Sequence, residues 1–194
     1  TSVEWLRQHS NGFRQLDGRG PGGTGLDLNE WVVKSQLRLN RRNTLLFKAL
    51  GKAEASAQSY LGLTEADFSE NPYRLYGLGQ KDFLKSQFGQ AWARHLWTGR
   101  RAELSTTVYL QQFARNWYKL DGLSAEGGPL TSIASVLRNP GAAEYRVLTL
   151  DLAGLGEADV KANNRSYGSG GIQTHGRRML SRNADVRLGA RIHR

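Results

Sequence analysis

Asp27–Leu61 reads DLNEWVVKSQLRLNRRNTLLFKALGKAEASAQSYL. The stretch contains no proline, and Gly51 is its only glycine. Asp27 followed by Glu30 has the spacing of a helix-capping box, with Asp in place of the usual Ser or Thr. Val32, Leu39, Leu46 and Ala53 recur every seven residues, with Leu50 and Ala57 on the same side. At about 100° per residue these positions make one apolar stripe. Lys34, Arg38, Arg41, Lys48 and Lys52 fall away from it. The pattern predicts a single long amphipathic helix with a packing face and a basic face, about 50 Å from end to end. That exceeds a small globule, so the helix is expected to project or to pack on another subunit.

Working outward from this segment, residues 1–10 suggest a short helix with Val3 and Leu6 on one side, and residues 11–25 a Gly-rich linker. Neither a preceding strand nor a closing Gly-Lys-Ser/Thr makes that Gly run a phosphate loop. Residues 62–79 form a connector broken at Asn71-Pro72. Gln80–Trp97 reads as a second helix, with Phe83, Leu84, Phe88, Ala91, Trp92 and His95 on one face. Ala102–Leu120 reads as a third, with Tyr109, Leu110, Phe113, Trp117 and Leu120 inward. A short helix is expected from Thr131 to Arg138 and another around Arg177–Arg182. Alternating residues predict strands at 145–152 and 186–193. The fold class expected is therefore mainly α: a long amphipathic helix plus a helical body, with a small β element near the C-terminus. Its parts are an N-terminal segment and linker (1–25), the helical body (26–142) and a strand-containing basic arm (143–194).

The 194 residues carry 27 Lys and Arg against 17 Asp and Glu, a net charge of +10. Residues 165–194 hold seven Arg, no Lys and the single acid Asp185, so more than half of that charge sits in the last 30 residues. Guanidinium groups present planar donor forks that match phosphate and carboxylate, and their clustering points to a polyanion or an acidic protein surface as neighbour. The absence of cysteine excludes disulfides, Cys-ligated metals and a thiol nucleophile. No apolar run approaches the length of a membrane helix, and no signal-like segment opens the sequence. The expectation is a protein of the cytoplasm or of a particle, with no membrane span.

Four histidines, His9, His95, His175 and His193, form no helical metal pair, and no nucleophile elbow or nucleotide fingerprint occurs. No metal and no cofactor is expected. One constellation, Arg165–Arg178, combines glycines that admit a phosphate with His175, Tyr167, Arg177 and Arg178, the parts of a metal-independent ribonuclease. The leading expectation is non-enzymatic: a structural or assembly subunit of a nucleic-acid-containing particle, virion or ribonucleoprotein. Its anion-binding residues would be Lys34, Arg38, Arg41, Lys48 and Lys52 on the helix, and Arg165, Arg177, Arg178, Arg182, Arg187, Arg191 and Arg194 in the arm. Its partners would be neighbouring subunits and RNA or DNA backbone. The alternatives are the ribonuclease and a protein–protein adaptor without nucleic acid.

Overall fold

A computed structural model of the chain describes residues 1–18, 20–21, 23–57, 59–149 and 154–194, with residues 20 and 21 described by backbone alone. In chain order the elements are β1 (Ser2–Ser10), β2 (Gln15–Leu16), β3 (Gly20–Pro21), β4 (Leu26–Arg38), β5 (Asn43–Ser56), α1 (Glu65–Glu70), β6 (Arg74–Leu75), a 3-10 turn (Gly77–Lys81), β7 (Phe83–Thr98), β8 (Ala102–Ala125), β9 (Thr131–Ser132), α2 (Ile133–Arg138), α3 (Ala143–Leu148), β10 (Gly156–Ala162), β11 (Arg165–Met179) and β12 (Asp185–His193). The protein is mostly antiparallel sheet, and the mainly α expectation is overturned. Among the described residues the only α-helices are three of six residues each.

The segment expected to be one helix is a hairpin. Strand β4 pairs with β5 from Leu26↔Ser56 to Arg38↔Thr44. Asn40 closes its turn, its side-chain oxygen accepting from the backbone N–H of Arg42 at 2.9 Å and of Asn43 at 3.0 Å. The misreading has a physical source. Leu46 and Leu50, and likewise Lys48 and Lys52, stand four apart, which suits a helix turn as well as alternate sites on a strand. The odd positions of β5 decide the matter: Leu45, Phe47, Ala49, Gly51, Ala53 and Ala55 are all apolar or glycine, a strict period of two. The expected helices at 80–97 and 102–120 are strands β7 and β8, and residues 1–10 are β1. Conversely, the strand expected at 145–152 begins inside α3, and its residues 150–152 lie outside those described. The segment around Arg177–Arg182 is the end of β11 and its turn.

The main sheet runs β1-β4-β5-β7-β8-β11-β12, every neighbouring pair antiparallel. At one end of the strands, short turns join them at 39–42, 99–101 and 180–184. At the other end the connections are long: 11–25, 57–82 and 126–164. Strand β8 outruns its neighbours there and continues in pairing with β10 and β9.

The buried core lies in this long-loop end, not on the sheet body. Leu120 and Leu123, from the extension of β8, pack with Leu61, Tyr76, Ile133, Val136, Val147 and Leu148. The body of the sheet is a single layer with both faces open. Accessible surface totals 12993 Å², against about 9,200 Å² for a compact monomer of 21.6 kDa.

Candidate functional site

Directly paired residues of an antiparallel sheet point to the same face, so the register assigns every side chain. One row runs Trp5, Trp31, Gly51, Gly89, Gln112, Gly168 across six strands. The face sharing that row is apolar along most of its length. It presents Val33 and Leu37 on β4, Leu45, Phe47 and Ala49 on β5, Ala91, Ala93 and Trp97 on β7, Leu104, Val108 and Leu110 on β8, and Val186, Leu188 and Ile192 on β12. These side chains are uncovered: Trp5 is 69% exposed, Leu110 66%, Leu188 76%. Charged groups on this face stand at its two ends, Arg7, Asp27 and Lys85 toward the long loops, where the His9 ring nitrogen Nδ1 lies 2.8 Å from Asp27, and Arg178 toward the short turns, where His95, 2.8 Å from Asn43, and Thr106 add polar groups. Tryptophan and other aromatics stand at both borders of the apolar band: Trp5, Trp31 and the stacked pair Phe83–Tyr118 toward the long loops, Trp97 beside the short turn at Gly99.

The opposite face collects the charges. Lys34 donates to Glu4 at 2.9 Å, Lys52 lies 3.1 Å from Glu54, and Asp185 receives both Arg177 (2.7 Å) and Arg187 (3.2 Å). Arg94 donates to Thr107 and stacks over Trp92. Arg191 stacks over Tyr109 and donates to its hydroxyl. Polar and aromatic side chains thus alternate with cations across one continuous surface.

At the long-loop end, three loops converge on one carboxylate. Asp67 accepts from the hydroxyls of Thr64 (2.5 Å), Tyr76 (2.7 Å) and Tyr145, and from the Arg74 guanidinium at 2.5 Å. Arg74 also donates to Asp17 at 3.0 Å. Loop 11–25 supplies Asp17, loop 57–82 supplies Asp67, and loop 126–164 supplies Tyr145. Burial pushes the Asp67 carboxyl up, but the hydroxyl donors and the Arg74 charge outweigh it and hold it below the usual carboxylate range. Asp82 goes the other way: burial raises it despite bonds from Ser59 and the Leu120 N–H.

Of the residues singled out by sequence, Lys34, Arg38, Lys48, Lys52, Arg165, Arg177, Arg187 and Arg191 share the charged face. Arg178 points to the apolar face beside Val186, Arg41 and Arg182 sit in the short turns, and Arg194 follows β12. Tyr167 and His175 share a face, but eight residues of extended strand separate them, about 26 Å. Tyr167 lies against Phe113, and the His175 ring lies against Gly189. Among the described residues no cluster of His, Asp or Glu gathers for a metal. The basic helix that was to carry part of a virion or assembly role is absent, its cations standing on strands β4 and β5 instead, and the Arg-rich arm is β11, β12 and their turn. The placing of Trp5 and Trp31 on one apolar face escaped the sequence reading; the odd-position run Leu45, Phe47, Ala49, Gly51, Ala53, Ala55 is the signal that marks the face, through the Trp31–Gly51 pairing.

Comparison with known proteins gives no match: neither a protein-family model nor a curated sequence is similar to this chain.

Proposed function

We propose that the sheet is a sector of a transmembrane β-barrel, its apolar face against lipid and its charged face lining a polar interior. One observation carries the reading. A single-layer sheet of long strands is apolar on one face, charged on the other, and covered on neither. Water-exposed apolar surface on this scale marks a membrane or a partner interface. On β5 apolar or glycine positions run from Leu45 to Ala53 before the rung of Asp27 and Lys85 at Ala55; at a tilt of about 45° that run spans about 19 Å, most of the height of a lipid-facing band. Short turns at one end, long loops at the other and aromatic borders between them suit the same architecture. Among the described residues no helix is long and apolar enough to cross a membrane; in this reading the strands do so. Strands β1 and β12 run in the same direction and each has one free edge, so closing an all-antiparallel barrel takes an odd number of further strands.

The charged face supports a second reading. Glu4, Glu54 and Asp185 on it are held in ion pairs, while Arg38, Lys48 and Arg165 have no carboxylate partner among the described residues, which suits a polyanion, whether RNA, DNA or an acidic subunit, lying across it. Refolding into liposomes of brominated lipid separates the two. The barrel reading expects co-flotation and strong quenching of Trp5 and Trp31 emission. The polyanion reading expects no flotation and salt-sensitive retention of nucleic acid.

A further inference from the structure

On the charged face, three neighbouring rungs of β7, β8 and β11 carry three different chemistries. The register aligns Ser86, Arg115 and Arg165 in the first, Phe88, Phe113 and Tyr167 in the second, and Gln90, Gln111 and Ser169 in the third. The third rung is satisfied internally, Gln111 donating to Ser169 at 2.8 Å and Gln90 to Gln111 at 3.5 Å. The second is an aromatic strip: Phe113 and Tyr167 have ring centroids 5.2 Å apart, and Tyr167 is 60% exposed.

The first rung is not balanced. Two arginines, Arg115 and Arg165, stand directly opposite one another in register, a pairing of like charges that costs stability in a sheet. Neither has a carboxylate partner among the described residues. Arg115 is held over the Trp117 ring at 5.5 Å, and its buried Nε has no hydrogen-bond partner among the described residues. A buried donor left unpaired costs free energy. Glu54, the acid beside Ser86 on β5, is engaged with Lys52.

From this juxtaposition we infer a binding site for a small aromatic carboxylate. Its oxyanion sits between Arg115 and Arg165, and its ring lies on the Phe88–Phe113–Tyr167 strip. A carboxylate relieves the repulsion of the facing cations and accepts from their planar forks. A flat ring gains offset or edge contact with the exposed aromatics. The amide rung sets the far limit of the platform. The site rests on the barrel reading in one respect, that this face lines an aqueous interior.

The test is calorimetric titration of the full chain in detergent micelles with benzoate, with its neutral isostere benzamide, and with inorganic phosphate. Benzoate is expected to bind saturably, and benzamide at least about tenfold more weakly. Phosphate is expected to compete poorly, having no ring to place. Arg165→Gln and Phe113→Leu should each weaken benzoate about tenfold or more, while Lys34→Gln, which removes an ion-paired cation elsewhere on the face, leaves it unchanged. Arg165 is exposed, so its replacement spares the fold, and far-UV circular dichroism verifies this for both variants. Absence of saturable benzoate binding, equal binding of benzamide, equal competition by phosphate, or an unaltered Arg165→Gln affinity each overturns the site. Quenching by brominated lipid reports the apolar face independently, so failure of the site with quenching intact leaves the barrel standing. Loss of quenching with benzoate binding intact does the reverse.

Discussion

Gly51 shows how one missing atom shapes the apolar face. Trp31 lies opposite it in register and folds over it: a Cβ built there would meet the indole Nε1 at 2.5 Å. Gly51→Val should displace the ring and destabilise the chain by about 1–3 kcal/mol, with a shift in tryptophan emission. Gly89→Ala is the control, since nothing lies within 4 Å of that position; equal effects of the two would refute the packing argument. Asp67 is the second decisive residue. Its folded carboxyl titrates below its unfolded value, so its contribution is complete above about pH 4 and vanishes as pH falls through the lower, folded value. Acid should therefore loosen the junction of the three long loops, seen in near-UV circular dichroism. Asp67→Asn should cost about 3 kcal/mol and abolish that part of the acid transition. An unchanged acid midpoint in the variant would assign the transition to other groups. Such pairings were not legible in the sequence, because Asp17, Asp67, Arg74 and Tyr145 meet only through three separate loops.

At the scale of elements, alternation and helical spacing compete within the same residues. Strand β12 is legible, since Val186, Leu188, Ala190 and Ile192 alternate with Arg187, Gly189, Arg191 and His193. In β4 and β5 the charged face also carries Leu28, Val32, Leu46 and Leu50, which fill in the polar half of the alternation and complete a helix-like stripe. The turn at 39–42 hides for a related reason. It has no Gly or Pro; the Asn40 side chain accepts from Arg42 and Asn43 while the backbone N–H groups of Leu39 and Asn40 donate to the Asn43 carbonyl. The basic grouping was legible, its geometry was not: the cations line a sheet face because odd and even positions, not helix faces, separate them. Strand β8 offers the sharpest contrast. Leu110 is on the apolar face and Gln111 on the charged one. Leu110→Arg should destabilise the membrane-inserted form by about 2–4 kcal/mol, and Gln111→Arg by much less, measured by urea unfolding in liposomes. Similar costs at both sites would contradict the assignment of faces.

For the whole molecule, the two ends of the sheet behave differently. The long-loop end has a conventional core around Tyr76, Leu120 and Leu123, and it folds as water-soluble protein does, by burying apolar side chains on one another. The strands below it bury little, and their stability rests on the hydrogen-bonded ladders and on whatever medium meets each face. Lipid on the apolar face removes the cost of its exposure, and the free edges of β1 and β12 find partners when the sheet closes. The absence of cysteine makes the decisive measurement clean. Single cysteines placed in turn from residue 104 to residue 113 of β8, in chain reconstituted into liposomes, report the environment of each face through a water-soluble maleimide. The account predicts period-two labelling, with odd positions reactive, save 107, which is buried beneath Arg94, and even positions protected by lipid. Uniform labelling of both sets in membrane-inserted protein would contradict it.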